Sequence, residues 1–202
     1  MKKKLKKFLG ASKVVISQQR YQPNKEYSRS LILDSEELPV SGWINSLQQD
    51  MPTHSFNKGN AVMINAKSIK STTSRNLFKN EDSSGSILVE VMPLASVEDA
   101  KEWVESACDR VKRTLSGKAS LSEFNCIGAI AIPNIDTSSG FHYSMTLEKG
   151  LRKSTAVAAS VGDVYTIVTC SKFNADWSMN EVVELVQVQA YKIRSASSGL
   201  SN

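Results

Sequence analysis

The sequence predicts an α+β fold: an antiparallel β-sheet with two long amphipathic helices packed on it. Two observations predict this class. A pair of β-rich segments joined by a tight turn leads directly into a capped helix, over residues 154–194. Earlier, a strand ended by a proline leads into another capped helix, over residues 87–117. In both places the helix follows strands whose apolar faces need a cover, so we expect the order strands, helix, strands, helix.

The N-terminal third of the chain gives the weakest signals. The apolar residues 31–33 and the polar turn after them predict a short packing element that places Trp43 on the core. Residues 61–64 are expected to form a strand. Residues 71–85 are rich in Lys, Asn, Glu, Asp and Ser, and we expect them to form the longest loop.

The first strongly predicted pair is the strand 87–92, ended by Pro93, and the helix after it. Ser96 can cap this helix, and Gly117 is a plausible residue for its C-terminal end. Its apolar residues fall three or four apart and therefore share one face. These residues are Val97, Ala100, Val104, Ala107 and Val111.

Two further strands are expected before the final hairpin. Residues 126–132 are continuously apolar and predict a strand buried on both faces. Residues 141–147 alternate, with Phe141 and the odd-numbered residues facing inward and His142, Ser144 and Thr146 facing outward. A turn at residues 148–150 then returns the chain towards the hairpin.

The final hairpin and helix are the part of the chain with the clearest pattern. Residues 154–160 and 164–170 pair around a turn at 161–163. Ser178 and Glu181 form a capping box, which begins a helix over 179–194. The valines of this segment also alternate as a strand would, but its length and its cap favour a helix.

Length and charge predict one ordinary domain with tails. The chain has 202 residues, of which 41% are hydrophobic, and a net charge of +5. The basic excess lies at the N-terminus, so the body does not favour a nucleic-acid partner. We expect a basic, disordered tail over 1–27, a single α+β domain over 28–195, and a disordered C-terminal tail over 196–202.

The basic tail has three interpretations, which the sequence leaves open. It is a solvated disordered segment, a degenerate secretion signal, or a polybasic anchor for an anionic membrane surface. The lysines of the anchor would be Lys2, Lys3, Lys4, Lys6 and Lys7. No segment reaches the roughly 20 apolar residues of a transmembrane helix.

The three cysteines match no zinc or redox motif. In a reducing compartment Cys108, Cys126 and Cys170 are expected to be buried small hydrophobic residues. In an oxidising compartment Cys108 and Cys126 are the first choice for a disulfide, since a short turn returns the chain between them.

Three short motifs resemble one group of bacterial proteins. The segment 31–39, Leu-Ile-Leu-Asp-Ser-Glu-Glu-Leu-Pro, runs to Gly42-Trp43, and residues 161–164 read Val-Gly-Asp-Val. Together with the closing helix, they resemble exported lipoproteins and receptor-kinase sensor domains of actinobacteria over residues 28–194. The resemblance implies a PsbP-like α/β/α sandwich and a non-catalytic, extracytoplasmic binding or sensing role. The sequence departs from exported lipoproteins in lacking a lipobox cysteine.

No catalytic, metal or cofactor motif accompanies these elements. The two histidines, His54 and His142, are expected in a turn and on an outward strand face. Residues 116–120 carry the Gly-Lys pair of a phosphate-binding loop but lack its earlier glycine. The acidic pairs at 36–37 and 81–82 are expected to be solvated, and the three tryptophans to pack.

The leading hypothesis is therefore a non-catalytic binding or sensory domain that presents an apolar surface or pocket to a protein or small apolar ligand. We expect no cofactor, and a location in the cell envelope or outside the cell. An alternative is a membrane-associated intracellular adaptor recruited by the basic tail, either cytoplasmic or membrane-peripheral. A second alternative is a small enzyme with an unrecognised carboxylate site.

Overall fold

A computed structural model of the chain describes residues 25–39, 41–51 and 73–199. The basic lysines, His54 and the strand expected at 61–64 lie outside these residues. The described elements, in chain order, are α1 Lys25–Ser30, a 3₁₀ turn Ser35–Glu37, β1 Trp43–Met51, β2 Thr73–Asn80, β3 Gly85–Pro93, α2 Val97–Glu105, α3 Ala107–Ser116, β4 Leu121–Ala129, β5 Thr137–Leu147, β6 Gly150–Val161, β7 Val164–Phe173 and α4 Met179–Gly199.

The described strands form one seven-stranded sheet in the order β1-β2-β3-β7-β6-β5-β4. Every neighbouring pair is antiparallel. The predicted α+β class with an antiparallel sheet is confirmed. The hairpin of β6 and β7 occupies the middle of the sheet, next to β3, which explains why its residues are the most continuously buried of the chain.

Helices of the described part lie on both faces of the sheet. In β6, Val157 and Ala159 belong to a core formed with α4 and the segment after α1, whereas Ala156 and Ala158 belong to a core formed with α2 and α3. Alternate residues of a strand point to opposite faces, so both faces of β6 are covered.

The final helix begins as predicted. The Glu181 amide donates to the Ser178 hydroxyl over 3.3 Å, and the Ser178 amide donates back to the Glu181 carboxylate over 2.8 Å. The helix runs to Gly199, beyond the predicted end at 194 and the predicted domain boundary at 195. Its last turns are supported by serine hydroxyls, because Ser197 donates to the Ile193 carbonyl over 2.8 Å.

The other predicted long helix is two shorter helices, α2 of 9 residues and α3 of 10 residues. Ser96 caps α2 as expected, accepting from the Asp99 amide over 3.1 Å. The break is at Ser106, whose hydroxyl donates to the Glu102 carbonyl over 2.7 Å. A serine that bonds the preceding turn competes with regular helical bonding, and the prediction of one continuous helix was wrong.

The loop predicted over 71–85 was also wrong in its first half, because Thr73–Asn80 is strand β2. Two of its polar residues, Ser74 and Asn76, are fully buried and hydrogen-bonded rather than solvated. Ser74 donates to the Asp50 carboxylate over 3.0 Å, and Asn76 donates to the Leu33 carbonyl over 2.7 Å. Partners from distant parts of the chain satisfy the hydrogen-bonding groups of these side chains, although the sequence pattern of the strand is typical of a loop.

The strand predicted at 126–132 with both faces buried was wrong in position and burial. Strand β4 covers Leu121–Ala129 and lies at an end of the described sheet, with Ile127 45% exposed. Ile130 and Ile132 follow the strand and pack into the α4 core. An apolar run alone does not reveal whether a strand has neighbours on both sides.

We expected Phe141 of β5 to face inward and Ser144 to face outward. Phe141 is fully buried as predicted, but Ser144 is only 7% exposed, so the prediction for Ser144 was wrong. Ser144 pairs with Lys153 of β6. Glu123 of β4 pairs with Ser144 on its other side, so longer side chains of both neighbouring strands flank the short serine.

Candidate functional site

One half of one sheet face carries little helical cover in the described part of the chain. On this face α2 packs on β5, β6 and β7, and α3 packs on β4 and β5. Helices α1 and α4 lie on the opposite face, in the core that includes Ile87 and Val89. No described helix packs to a comparable extent on β1, β2 and β3 from the α2 side.

Strand register identifies the residues that face this uncovered area. Because Ile87 and Val89 point to the α4 core, Ser86 and Leu88 point the other way. Leu88 pairs with Leu77, and Leu77 pairs with Leu47. Ser86 pairs with Lys79, and Lys79 pairs with Ile44. We call this surface the open face, with the apolar residues Ile44, Leu47, Leu77 and Leu88 and the polar residues Lys79, Ser86, Arg152, Ser154 and Ser171.

A bulge in β1 brings two apolar residues to the open face. The β1–β2 register shifts between Asn45 and Leu47, so Ile44 and Leu47 share a face although they are three residues apart. Ile44 is 59% exposed and Leu47 is 45% exposed. Leu77 and Leu88 beside them are half-buried. A contiguous row of aliphatic side chains from three strands is a typical contact surface for a ligand or partner.

The polar residues lie at one side of the apolar row. Arg152 of β6 donates to the Ser86 hydroxyl over 2.5 Å, and the hydroxyls of Ser154 and Ser171 are 2.8 Å apart. Tyr143 adjoins them, and its burial raises the pKa of the phenol, while a hydrogen bond with Ser154 and the charge of Arg152 oppose this increase. Because Ser86, Ser154 and Ser171 are buried, the result is a strip of internally bonded hydroxyl groups next to a half-buried cation.

Positive charge dominates this polar strip. Among the described residues, no carboxylate lies within ion-pair distance of Arg152 or Lys79. Arg75, farther along β2, is instead paired with Glu90 of β3, and the two charges compensate each other. The open face therefore combines an aliphatic row with two uncompensated cations.

The predicted disulfide residues lie on the same sheet face as the open face, at the opposite end of the sheet. Cys108 on α3 and Cys126 on β4 form a disulfide in the structure, with Cα atoms 6.1 Å apart. The bridge attaches α3 to the strand at that end of the sheet. Cys170 is free and buried against α4, and burial raises the pKa of its thiol. Formation of the disulfide in the cell stays a prediction.

His142 is held inside a hydrogen-bond chain. Its Nδ1 lies 2.9 Å from the Thr155 hydroxyl, which donates to the Trp177 carbonyl over 2.8 Å. Because the Thr155 proton is used on the carbonyl, Nδ1–H of His142 is the donor. The ring is half-buried rather than on the surface, and its Nδ1 is held by the bond to Thr155.

The Gly-Lys segment and the two acidic pairs noted in the sequence form local contacts within the fold. Lys118 follows the end of α3, where its amide donates to the Leu115 carbonyl over 2.8 Å. Glu37 pairs with Lys192 of α4. Asp82 accepts from the Ser84 amide over 2.9 Å, which lowers the pKa of its carboxyl. Within the described ranges, no group of three or more metal-ligating side chains is present.

The three tryptophans pack against neighbouring side chains. The rings of Trp43 and Trp177 lie 5.9 Å apart, against the α4 core. The Arg110 guanidinium lies 3.9 Å from the centre of the Trp103 ring, beside Tyr165. Burial raises the pKa of Tyr165 to about 12, so this phenol stays neutral at physiological pH.

A separate depression of about 480 Å³ adjoins the connection between β4 and β5. All of its lining residues come from the segment 130–138. Its carboxylate, Asp136, accepts from the Gly162 amide over 2.7 Å and thereby fixes the β6–β7 turn. The packing of the β4–β5 connection therefore accounts for this depression.

Sequence reasoning missed the open face because it missed β1 and β2. The β1 bulge interrupts the alternation that would have marked Ile44 and Leu47 as neighbours on one face. Arg152 gave no signal, since its partner Ser86 is 66 residues away in the sequence.

No protein-family profile matches the chain, and no curated protein matches it significantly. Among solved structures, it is similar to the extracellular domain of PknH from Mycobacterium tuberculosis, with a TM-score of 0.55, 12% sequence identity, and coverage of 88% of this chain and 99% of that one. This likeness shows the fold. The comparison also finds the Rv0999 ortholog from Mycobacterium smegmatis, an uncharacterised protein, with a TM-score of 0.44, 8% identity, and coverage of 77% and 90%. In the described part of the chain, no helix is long and apolar enough to cross a membrane.

Proposed function

We propose that the protein is a non-catalytic binding or sensory domain that uses the open face as its contact surface for a protein or small apolar ligand. One observation carries this proposal: aliphatic side chains of three adjacent strands form a row on a face that has little helical cover among the described residues. A monomeric domain ordinarily covers such a row, because exposed aliphatic area is unfavourable in water.

The fold supports the same role. It is similar to an extracellular domain of PknH. Helices on both sheet faces are what the predicted PsbP-like α/β/α sandwich requires. We propose a location in the cell envelope or outside the cell, which the Cys108–Cys126 bridge favours because disulfides persist in oxidising compartments. Recruitment to membranes by Lys2, Lys3, Lys4, Lys6 and Lys7 stays a prediction, as does the absence of a nucleic-acid partner.

Titration with the neutral apolar dye Nile red tests the proposal. A ligand that covers the exposed part of Leu47 gains about 1 kcal/mol, so we expect Leu47→Ser to weaken dye binding about fivefold. Ile127→Ser is the matched control, because Ile127 has the same 45% exposure and lies on β4 at the opposite end of the sheet. An unchanged affinity in Leu47→Ser, or an equal loss in the two variants, would contradict the proposal.

A further inference from the structure

We propose that the ligand of the open face is a free amphiphile with one alkyl chain and an anionic head group, of the kind that a fatty acid represents. This inference rests on the proposed function and adds the chemistry of the ligand. It is motivated by the arrangement of the open face, where an aliphatic row ends beside two cations and a strip of hydroxyl groups.

The aliphatic row is suited to an alkyl chain. Leu47, Leu77 and Leu88 are aligned across three neighbouring strands, which corresponds to a row about 10 Å long at the usual strand spacing. Ile44 lies beside this row on β1. The row is narrow, and a single chain laid across the strands would cover its exposed side chains.

The head group is positioned by Arg152 and Lys79. Ser86 is the register partner of Lys79 on the neighbouring strand and accepts from Arg152, so both basic residues lie beside Ser86 on this face. Ser171 pairs with Ser86 across β3 and β7, and both serines are buried beneath the two basic residues. The serine hydroxyls bond to Arg152 and to each other below the surface, so a guanidinium and an ammonium are the groups available to bind a carboxylate or phosphate.

Charge complementarity decides the sign of the head group. Arg152 and Lys79 have no carboxylate within ion-pair distance among the described residues, and Glu90, which lies on this face, is already paired with Arg75. A cationic ligand would face two positive charges without compensation. An anionic one would complete the arrangement.

Calorimetric titration of the full-length chain tests the inference with three probes. Decanoate, used below its micelle concentration, carries the chain and the anion. Decyltrimethylammonium carries the same chain with a cation, and acetate carries the anion without the chain. We expect decanoate to bind at least about tenfold more tightly than the cationic probe, and acetate to give no measurable binding.

Two matched variants locate the head group. We expect Arg152→Gln to weaken decanoate binding about tenfold, because it removes a charge-assisted hydrogen bond to the anion. Arg113→Gln, which removes the same charge from an exposed residue of α3, should leave the affinity unchanged. If Arg152→Gln fails to fold, as judged by circular dichroism, Lys79→Gln replaces it and should weaken binding severalfold.

The alternatives give different results. Equal binding of decanoate and decyltrimethylammonium, both weakened by Leu47→Ser, would overturn the anionic head group but leave the apolar contact surface in place. Failure of Nile red and of all three probes would overturn both proposals. Binding to anionic phospholipid vesicles without binding to free decanoate would assign the face to a membrane and overturn the inference. A concentration-dependent dimer that Leu47→Ser abolishes would assign it to a second copy of the chain, with the same consequence.

Discussion

Gln189 is the side chain that attaches the N-terminal segment to the final helix. It is fully buried, its carbonyl oxygen accepts from the Leu33 amide over 3.1 Å, and its amide donates to the Leu31 carbonyl over 2.7 Å. Both backbone groups lie in the buried segment after α1. The amide therefore satisfies two polar groups that have no access to water.

We predict that Gln189→Ala lowers the free energy of unfolding by about 2–5 kcal/mol, because it leaves a buried N–H and a buried carbonyl without this partner. Chemical denaturation measures the change. Gln187→Ala is the control, since Gln187 is exposed on the same helix and its substitution should change stability by less than about 0.5 kcal/mol. Equal effects of the two substitutions would show that the Gln189 bonds do not stabilise the fold.

At the residue scale, the sequence predicts bonds between near neighbours and fails for distant ones. The capping box of Ser178 and Glu181 spans three residues, and both of its bonds were predicted. The Leu33 amide and the Gln189 side chain are 156 residues apart. The residues around Gln189 do not mark it as buried. Its buried environment is formed by the segment after α1, and the position of that segment on α4 cannot be read from the residues of α4 alone.

At the element scale, the most reliable predictions were those in which periodicity and end signals agreed. Strands β6 and β7 and helix α4 satisfied both. Strand β2 satisfied neither, since its buried polar residues depend on partners in other elements. Helix α2 is capped as predicted. Its end at Ser106 was missed, because the helical spacing of apolar residues in the sequence continues past this residue.

The Cys108–Cys126 bridge gives a prediction at this scale, because it links α3 to β4. It closes a loop with a sequence separation of 18 residues, and in the chain-entropy model such a loop is worth about 3 kcal/mol. We predict that a reducing agent lowers the free energy of unfolding of the wild-type protein by about this amount. A variant with Cys108→Ser and Cys126→Ser should have the lower stability from the start and should not respond to the reductant.

Thiol counting connects the bridge to the location of the protein. In denatured, unreduced protein taken from its own cells, alkylation should label Cys170 alone. The native protein should resist labelling, since this thiol is buried and its pKa is raised. Three labelled cysteines would place the protein in a reducing compartment. A wild-type stability that the reductant leaves unchanged would show that the bridge does not stabilise the fold.

At the scale of the whole molecule, the described helices cover the sheet unevenly. Helices α1 and α4 follow one face, and α2 and α3 follow the β4–β7 half of the other. The sequence predicts helices and a sheet, but not which half of which face the described helices leave without cover. That depends on strand order, which places β1 and β2 at the far side of β3 from the hairpin.

Uneven cover links the fold to the proposed function. The covered half carries the disulfide and the packed aromatic residues, including Phe124 stacked on Phe141 with ring centres 5.7 Å apart. The open face carries aliphatic side chains and cations that internal packing leaves partly exposed. A half that is packed and cross-linked, next to a half with accessible aliphatic side chains, is a suitable arrangement for a domain that binds a ligand on its sheet.

Methyl NMR on the full-length chain tests most directly the claim that an anionic amphiphile lies on the open face. With decanoate, we predict shifts of the methyl signals of Ile44, Leu47, Leu77 and Leu88, and unchanged signals from Ile127 of β4 and from Val182 in the α4 core. Shifts confined to the segment 130–138 or to α4, with the open-face methyl groups unaffected, would contradict the claim.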